Sequence, residues 1–411
     1  MNRLLIIGHT LPEAKTTAAG VRMMQLIDMF SNAGVDIVFA SVADQSEYSE
    51  TFVGYQVRFE SIRLNDASFD TFLRKEIPDM VLYDRFMTEE QFGWRVSEIC
   101  PDALTLLDTE DLHFLRKARQ EAVENGKPVH EANPYSELAK REIASILRCD
   151  LTLIISEVEW KLLIEKFHLP EALLYYLPLF AEAPSDQGKL LLPQYDARQH
   201  FVTIGNFKHA PNADAVRHLK IRLWPAIKRV LPEAQLYIYG AYATSEIERL
   251  HSEEEGFLLQ GWAPEAHEVL RQVRVCLAPL RFGAGLKGKV LTAWSVGTPV
   301  ISTSIGLEGL DNHTYPRFAA DTPTEWASEA VRLYQDKSYW HQQQQLGFSL
   351  LTQRFEPSLF KVPFLEHVTT LLLTLKEHRN AHFITQVMRH HTLQTYKYLS
   401  KYIAEKNRSK Q

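Results

Sequence analysis

The chain has 411 residues, 45% apolar and 23% charged, with a formal net charge of −6. That length exceeds one ordinary core and suits two domains of roughly 180 residues each. The mildly acidic balance excludes a general electrostatic pull toward nucleic acid, and Cys100, Cys149 and Cys276 follow no metal or disulfide spacing, as expected of small buried hydrophobes in a reducing cytosol.

Strand and helix signals alternate from the start. LLIIG (4–8) is a first strand, its apolar run too short for a secretory segment. A helix is expected around 19–33, ended by Asn32-Ala33-Gly34, followed by strands at 36–41, 80–84, 105–108 and 151–156. EEQFGWRVSEI and YSELAKREIASIL read as helices between them. Asp108 and Asp111 in LLDTEDLH invite comparison with paired metal-binding carboxylates, but a helix cap and a loop turn are the preferred reading. No apolar stretch approaches the roughly 20 residues of a membrane span, so a soluble protein is expected.

The pattern lapses over AEAPSDQGK, which reads as a linker. A second alternating series follows, with strands expected at 201–205, 235–240, 257–262, 275–280, 300–303 and 318–321. Such alternation defines α/β domains with parallel sheets, whose ligands bind beyond the carboxyl ends of the strands. Here those ends carry Gly205-Asn206, Gly240, Gly261-Trp262 and a Gly-rich loop, which argues for one shared cleft.

That loop is the most informative segment. RFGAGLKGK (281–289) holds three glycines and three cations between a strand and a short helix. Glycines let backbone N–H groups approach a ligand, and the helix N-terminus adds positive potential. Arg281, Lys287 and Lys289 supply formal charge, so a phosphate or diphosphate is the expected ligand. Lys289 and Arg281 are the leading phosphate ligands, with a solvated cation as the alternative. Residues 376–411 carry eight Lys/Arg against two Asp/Glu and form a basic terminal helix, read as solvated or domain-bridging, or as a surface for anionic lipid.

Two tandem doubly wound domains with a phosphate loop in the second resemble the GT-B architecture. FVTIGNFKHAPNADAVRHL, LPEAQLYIYG, FLLQGWAPE, LAPLRFGAGLKGKVLTAWSVGTPVIST and IGLEGL are similar, in order, to the retaining glycosyltransferases of family four, glycosyl transferases group one. In the first half, LLDTEDLHFLRKARQ and ISEVEWKLL resemble bacterial members linked to polysaccharide biosynthesis. The resemblance implies two Rossmann-like domains facing a cleft, 1–182 for the acceptor and 200–355 for a nucleotide sugar. They are joined by a linker at 183–199, with a helix at 356–377 crossing back and a basic helical tail at 378–411. It implies a metal-independent hexosyltransferase without cofactor, cytoplasmic or peripheral at the inner face of the membrane through 378–411. The donor is a nucleotide-diphosphate sugar and the acceptor a glycan or lipid-linked molecule. A non-catalytic GT-B partner and a nucleotide-sugar epimerase are the alternatives.

The resemblance also assigns residues. The diphosphate would rest on the loop Gly283, Ala284, Gly285, Leu286 and Lys287, with Lys289 and Arg281 adding charge. Gly205, Asn206, Lys208, Gly261 and Trp262 would complete the donor side. Two glutamates of the family correspond to Ala284 and Thr292, and its usual Arg and Lys after the first strand of this domain to Asn206 and Pro211. Glu308 would meet the sugar or ribose, a turn carboxylate being the alternative. His113 and Asp111 would serve the acceptor side, lined also by His9 and Gly20. His209 is read as a structural loop residue and Asp214 as a helix-start residue.

Overall fold

The computed structural model describes residues 2–311, 314–318 and 322–408. The N-terminal domain is a parallel seven-stranded sheet in the order β3-β2-β1-β4-β5-β6-β7. Its strands are β1 (Arg3–Gly8), β2 (Asp36–Ser41), β3 (Val57–Ser61), β4 (Met80–Asp84), β5 (Leu104–Asp108), β6 (Leu151–Ile154) and β7 (Leu174–Tyr176). The inner strands are apolar runs because both faces are covered: every residue of β4, β5 and β6 is buried. Sequence reading passed over the two edges. β3 is half polar and mostly open to solvent, and β7 has three residues, so neither carries the signal of a doubly covered strand.

The C-terminal domain is a parallel six-stranded sheet in the order β10-β9-β8-β11-β12-β13. Its strands are β8 (Gln199–Ile204), β9 (Leu236–Tyr239), β10 (Phe257–Gly261), β11 (Val273–Ala278), β12 (Val300–Thr303) and β13 (Arg317–Phe318). Of the strand expected at 318–321, Phe318 belongs to β13 and 319–321 lie outside the described residues. The expected linker is not featureless: Ser185 caps a short helix, Asp186–Leu191, by accepting from the amide of Gly188.

The chain then returns to the first domain. Helix Lys361–Leu373 sets Phe364, Val368 and Leu371 into the N-terminal core, with Phe364 edge-on to Phe30. The tail helix Phe383–Arg408 lies on helices Phe86–Ile99 and Glu137–Arg148. Arg379 and Arg389 both pair with buried Asp150, Tyr396 donates to Glu90 at 2.7 Å, and Lys397 pairs with Glu98. These cations are bound to carboxylates of the N-terminal domain, so the tail helix is neither solvated along this face nor shared between the domains. Two doubly wound domains thus face each other across a cleft, with a C-terminal helical extension.

Candidate active site

The carboxyl ends of both sheets open into one cavity of about 1100 Å³ between the domains. On the C-terminal side it is walled by the loops after β8, β9, β10 and β11. Glycine at 205 and 240 is demanded by close packing. A Cβ at Gly240 would lie 2.1 Å from the carbonyl oxygen of Gly205, and one at Gly205 2.7 Å from the Asn212 side chain. Asn206, Lys208 and Trp262 line the cavity, whereas Gly261 does not. Lys208 lies over the Tyr242 ring at 3.4 Å. Trp262 reaches across the cleft, donating from Nε1 to the Lys15 carbonyl at 3.2 Å and packing edge-on to Tyr48.

The Gly-rich loop leads into helix Gly288–Ser295, whose N-terminus carries no side-chain cap. Lys287 and Lys289 both line the cavity. Lys289 donates to Asn212 Oδ1 at 2.7 Å, and burial lowers its ammonium to about 8. Lys287 is buried and donates to the Gly285 carbonyl at 2.7 Å; burial lowers it, with Glu308 opposing. Thr292 also faces the cavity, its hydroxyl donating to the Gly288 carbonyl at 2.9 Å. Gly283, Ala284 and Leu286 line it as well, but Gly285 is covered by the N-terminal domain.

Two further expected residues are placed elsewhere. Arg281 is off the cavity wall, its guanidinium paired with Asp214 through Nε at 2.9 Å and through a second contact. That carboxylate sits on helix Ala210–His218. Asp214 therefore anchors Arg281 from within its helix. Glu308 is also off the wall, bound by Arg119 through two bonds of 2.7 Å. A carboxylate so close to a guanidinium fork is held as an ion pair.

The N-terminal wall is a dense charge cluster at the ends of β1, β4 and β5. His9 donates its amide to Asp84 Oδ2 at 2.9 Å. Asp108 is not a helix cap: it is fully buried and gripped by Arg22 from Nε (3.3 Å) and Nη2 (3.2 Å). Asp111 pairs with Arg116 rather than forming a cap or simple turn. Burial works against its ionisation, but Arg116 and His113 hold its carboxyl well below the usual range. Glu110 has the opposite fate: burial and the neighbouring Asp108 push its carboxyl far up. The following helix is capped instead by Glu142, which accepts from the amides of His113 (3.1 Å) and Phe114 (3.0 Å). His113 turns Nδ1 toward the Asp111 carbonyl at 3.2 Å and Glu142 at 3.5 Å.

Sequence reading passed over several wall residues. Arg85 and Glu110 stand at φ 71° and 63°, left-handed conformations that non-glycine residues adopt at a cost. Their position just past β4 and β5 was the only sequence signal. Gly20 and His9 do line the cavity, and so does His209, just before helix Ala210–His218. The domains meet on both flanks: Tyr242 donates to Glu13 at 2.9 Å, Lys15 pairs with Glu265, and Arg354 with Glu157. Among the described residues no group of three His, Cys, Asp or Glu side chains could hold a metal ion.

Two facing doubly wound domains with a cationic Gly-rich loop at their junction define the GT-B fold. Residues 198–336 match the family model described as glycosyl transferases group 1. No curated protein matches the chain. Among solved structures, the chain is similar to sucrose-phosphate synthase from Thermosynechococcus elongatus, at 15% identity and TM-score 0.67, covering 91% of this chain and 100% of that one. It is similar to S. aureus TarM in complex with fondaparinux, alpha-GlcNAc-glycerol and UDP, at 9% identity and TM-score 0.67, covering 90% and 100%. Anabaena HepE in complex with UDP and glucose follows at 12% identity and TM-score 0.66, again covering 90% and 100%.

Proposed function

We propose that this chain is a retaining hexosyltransferase that moves a sugar from UDP to a lipid-linked or polysaccharide acceptor in the cytoplasm. The observation that carries this reading is the pair Lys287 and Lys289, set at an uncapped helix N-terminus on the wall of a cavity of about 1100 Å³. That volume suits a nucleotide sugar together with the acceptor hydroxyl. The family match over 198–336 and the UDP bound by two of the similar structures support the choice of donor.

In the proposed reaction the bond between the sugar and the diphosphate breaks, and its electrons go to the leaving oxygen. Lys287, Lys289 and the helix amides stabilise that charge, without need of a metal. The acceptor hydroxyl gives its proton to the leaving phosphate as its oxygen bonds to the sugar on the same face. His113, held by Asp111 and Glu142, would orient the acceptor. Thermal-shift screening with UDP-, GDP-, dTDP- and ADP-sugars tests the donor assignment: a UDP-sugar is expected to raise Tm, and no rise with any donor would defeat it.

One observation favours a second reading, a non-catalytic GT-B partner in a glycosylation complex. Neither Ala284 nor Thr292 carries a carboxylate, and the Thr292 hydroxyl is bonded within its own helix. Donor hydrolysis separates the two: the enzyme releases UDP and the partner binds without turnover.

A further inference from the structure

Three consecutive residues at the tip of the Gly-rich loop touch the N-terminal domain, each by a different contact. The carbonyl of Gly283 accepts from Arg119 Nη1 at 2.8 Å. The methyl of Ala284 is buried in the N-terminal hydrophobic cluster that includes Leu112 and Ile154. The amide of Gly285 donates to Glu159 Oε1 at 2.8 Å, and that oxygen also accepts from the Leu112 amide at 3.1 Å. Gly285 stands at φ 62°, where a Cβ would come within 2.8 Å of the Asp111 Cβ. One domain therefore reads a carbonyl, a methyl-sized volume and an amide of the other.

The grip has a consequence inside the cavity. Gly285 is held through its amide by Glu159, and its carbonyl holds the ammonium of Lys287. Fixing the backbone of Gly285 therefore fixes where Lys287 places its charge. The contacts to Arg119, to the N-terminal cluster and to Glu159 are lost when the domains separate, whereas the bond from Lys287 to Gly285 lies within the loop itself.

We propose that Arg119 and Glu159 are positioning residues that make the placement of Lys287 conditional on domain closure. With the domains together, Arg119 and Glu159 set the loop and Lys287 faces the cavity. With the domains apart, the loop tip relaxes and the Gly285 amide is released. This inference rests on the donor-site reading above, and its test separates the two.

The test uses the full chain carrying Arg119→Ala, Glu159→Ala or Ala284→Glu, the last placing a carboxylate in the apolar seat of the methyl. Small-angle scattering is expected to show a larger radius of gyration in all three, with the circular dichroism of the wild type. UDP titration by calorimetry is expected to show binding weakened about tenfold by Arg119→Ala and by Lys287→Met, with the double variant no weaker than either single one. An unchanged radius of gyration in the three variants would overturn the closure link. Additive losses in the double variant would overturn the action through Lys287. Failure of UDP to bind the wild type would defeat the donor reading and with it the role of Lys287, whereas the scattering result stands without any nucleotide.

Discussion

Residue by residue, the site is governed by which charges find a partner. Among the described residues Lys289 bonds only the neutral Asn212, and burial lowers it to about 8. A bound diphosphate favours the charged form, so UDP affinity is expected to be level below about pH 8 and to fall about tenfold per unit above it. Calorimetry from pH 6.5 to 9.5 measures this, and Lys289→Met should abolish the slope. Glu159 is lifted to about 8 by burial and by Asp111, with Glu308 adding to the rise and the amides of Leu112 and Gly285 opposing it. Between about 4.5 and 8 the folded chain therefore holds a proton that the unfolded chain releases, and stability falls as pH rises. Melting curves across that window should flatten in Glu159→Gln relative to the wild type; parallel curves would refute the assignment. The cationic loop was legible because glycine and lysine cluster locally. The fates of Arg281 and Glu308 were not, since their partners Asp214 and Arg119 lie 67 and 189 positions away and are chosen by tertiary packing.

At the level of elements, the doubly covered strands were readable and the edges were not. β4 and β12 fall where the sequence predicts them, their apolar residues covered on both faces and their polar ones, Asp84 in β4 and Ser302 and Thr303 in β12, kept to the carboxyl ends. β3 has an exposed face and no such constraint. The tail illustrates a subtler limit: its excess of basic residues was visible, but not the carboxylates waiting for them. Asp150 receives Arg379 and Arg389 as well as the Thr105 amide and hydroxyl. Burial opposes its ionisation, yet Arg389 and Arg379 draw its carboxyl down to about 2. Its contribution to stability is therefore full above about pH 4 and lost as pH falls through about 2. Arg389→Ala removes one of two cations and should cost about 1.5–3 kcal/mol in urea unfolding at pH 7. A loss under about 0.5 kcal/mol, as for a solvated surface cation, would show the tail to be merely adjacent.

Across the whole molecule, the N-terminal domain is completed by residues about 190 positions beyond its last strand. Phe364, Val368 and Leu371 are buried in its core, and each such side chain contributes about 1.5–3 kcal/mol. Together they rival the net stability of a typical domain. Residues 1–182 expressed alone are therefore expected to lack a cooperative thermal transition, and a sharp one by circular dichroism would contradict this. The crossing was legible only through the family resemblance: nothing local in KVPFLEHVTTLLL names the sheet it covers.

That return path lies against the outgoing one. The amide of Ala181, leaving the first domain, donates to the carbonyl of Phe355, re-entering it, at 3.0 Å. Two chain segments bonded side by side act as a door hung on paired hinges, which can swing but not slide. Beside that mounting Arg354 pairs with Glu157, two positions from Glu159, and Leu286 of the loop shares a buried cluster with Phe355, so the grip on the loop tip lies on the hinge side of the cleft. On the proposed reading, a spent nucleotide leaves only when that grip lets go. Unlatching and product escape are then one event, and each catalytic cycle must break and remake the same few hydrogen bonds.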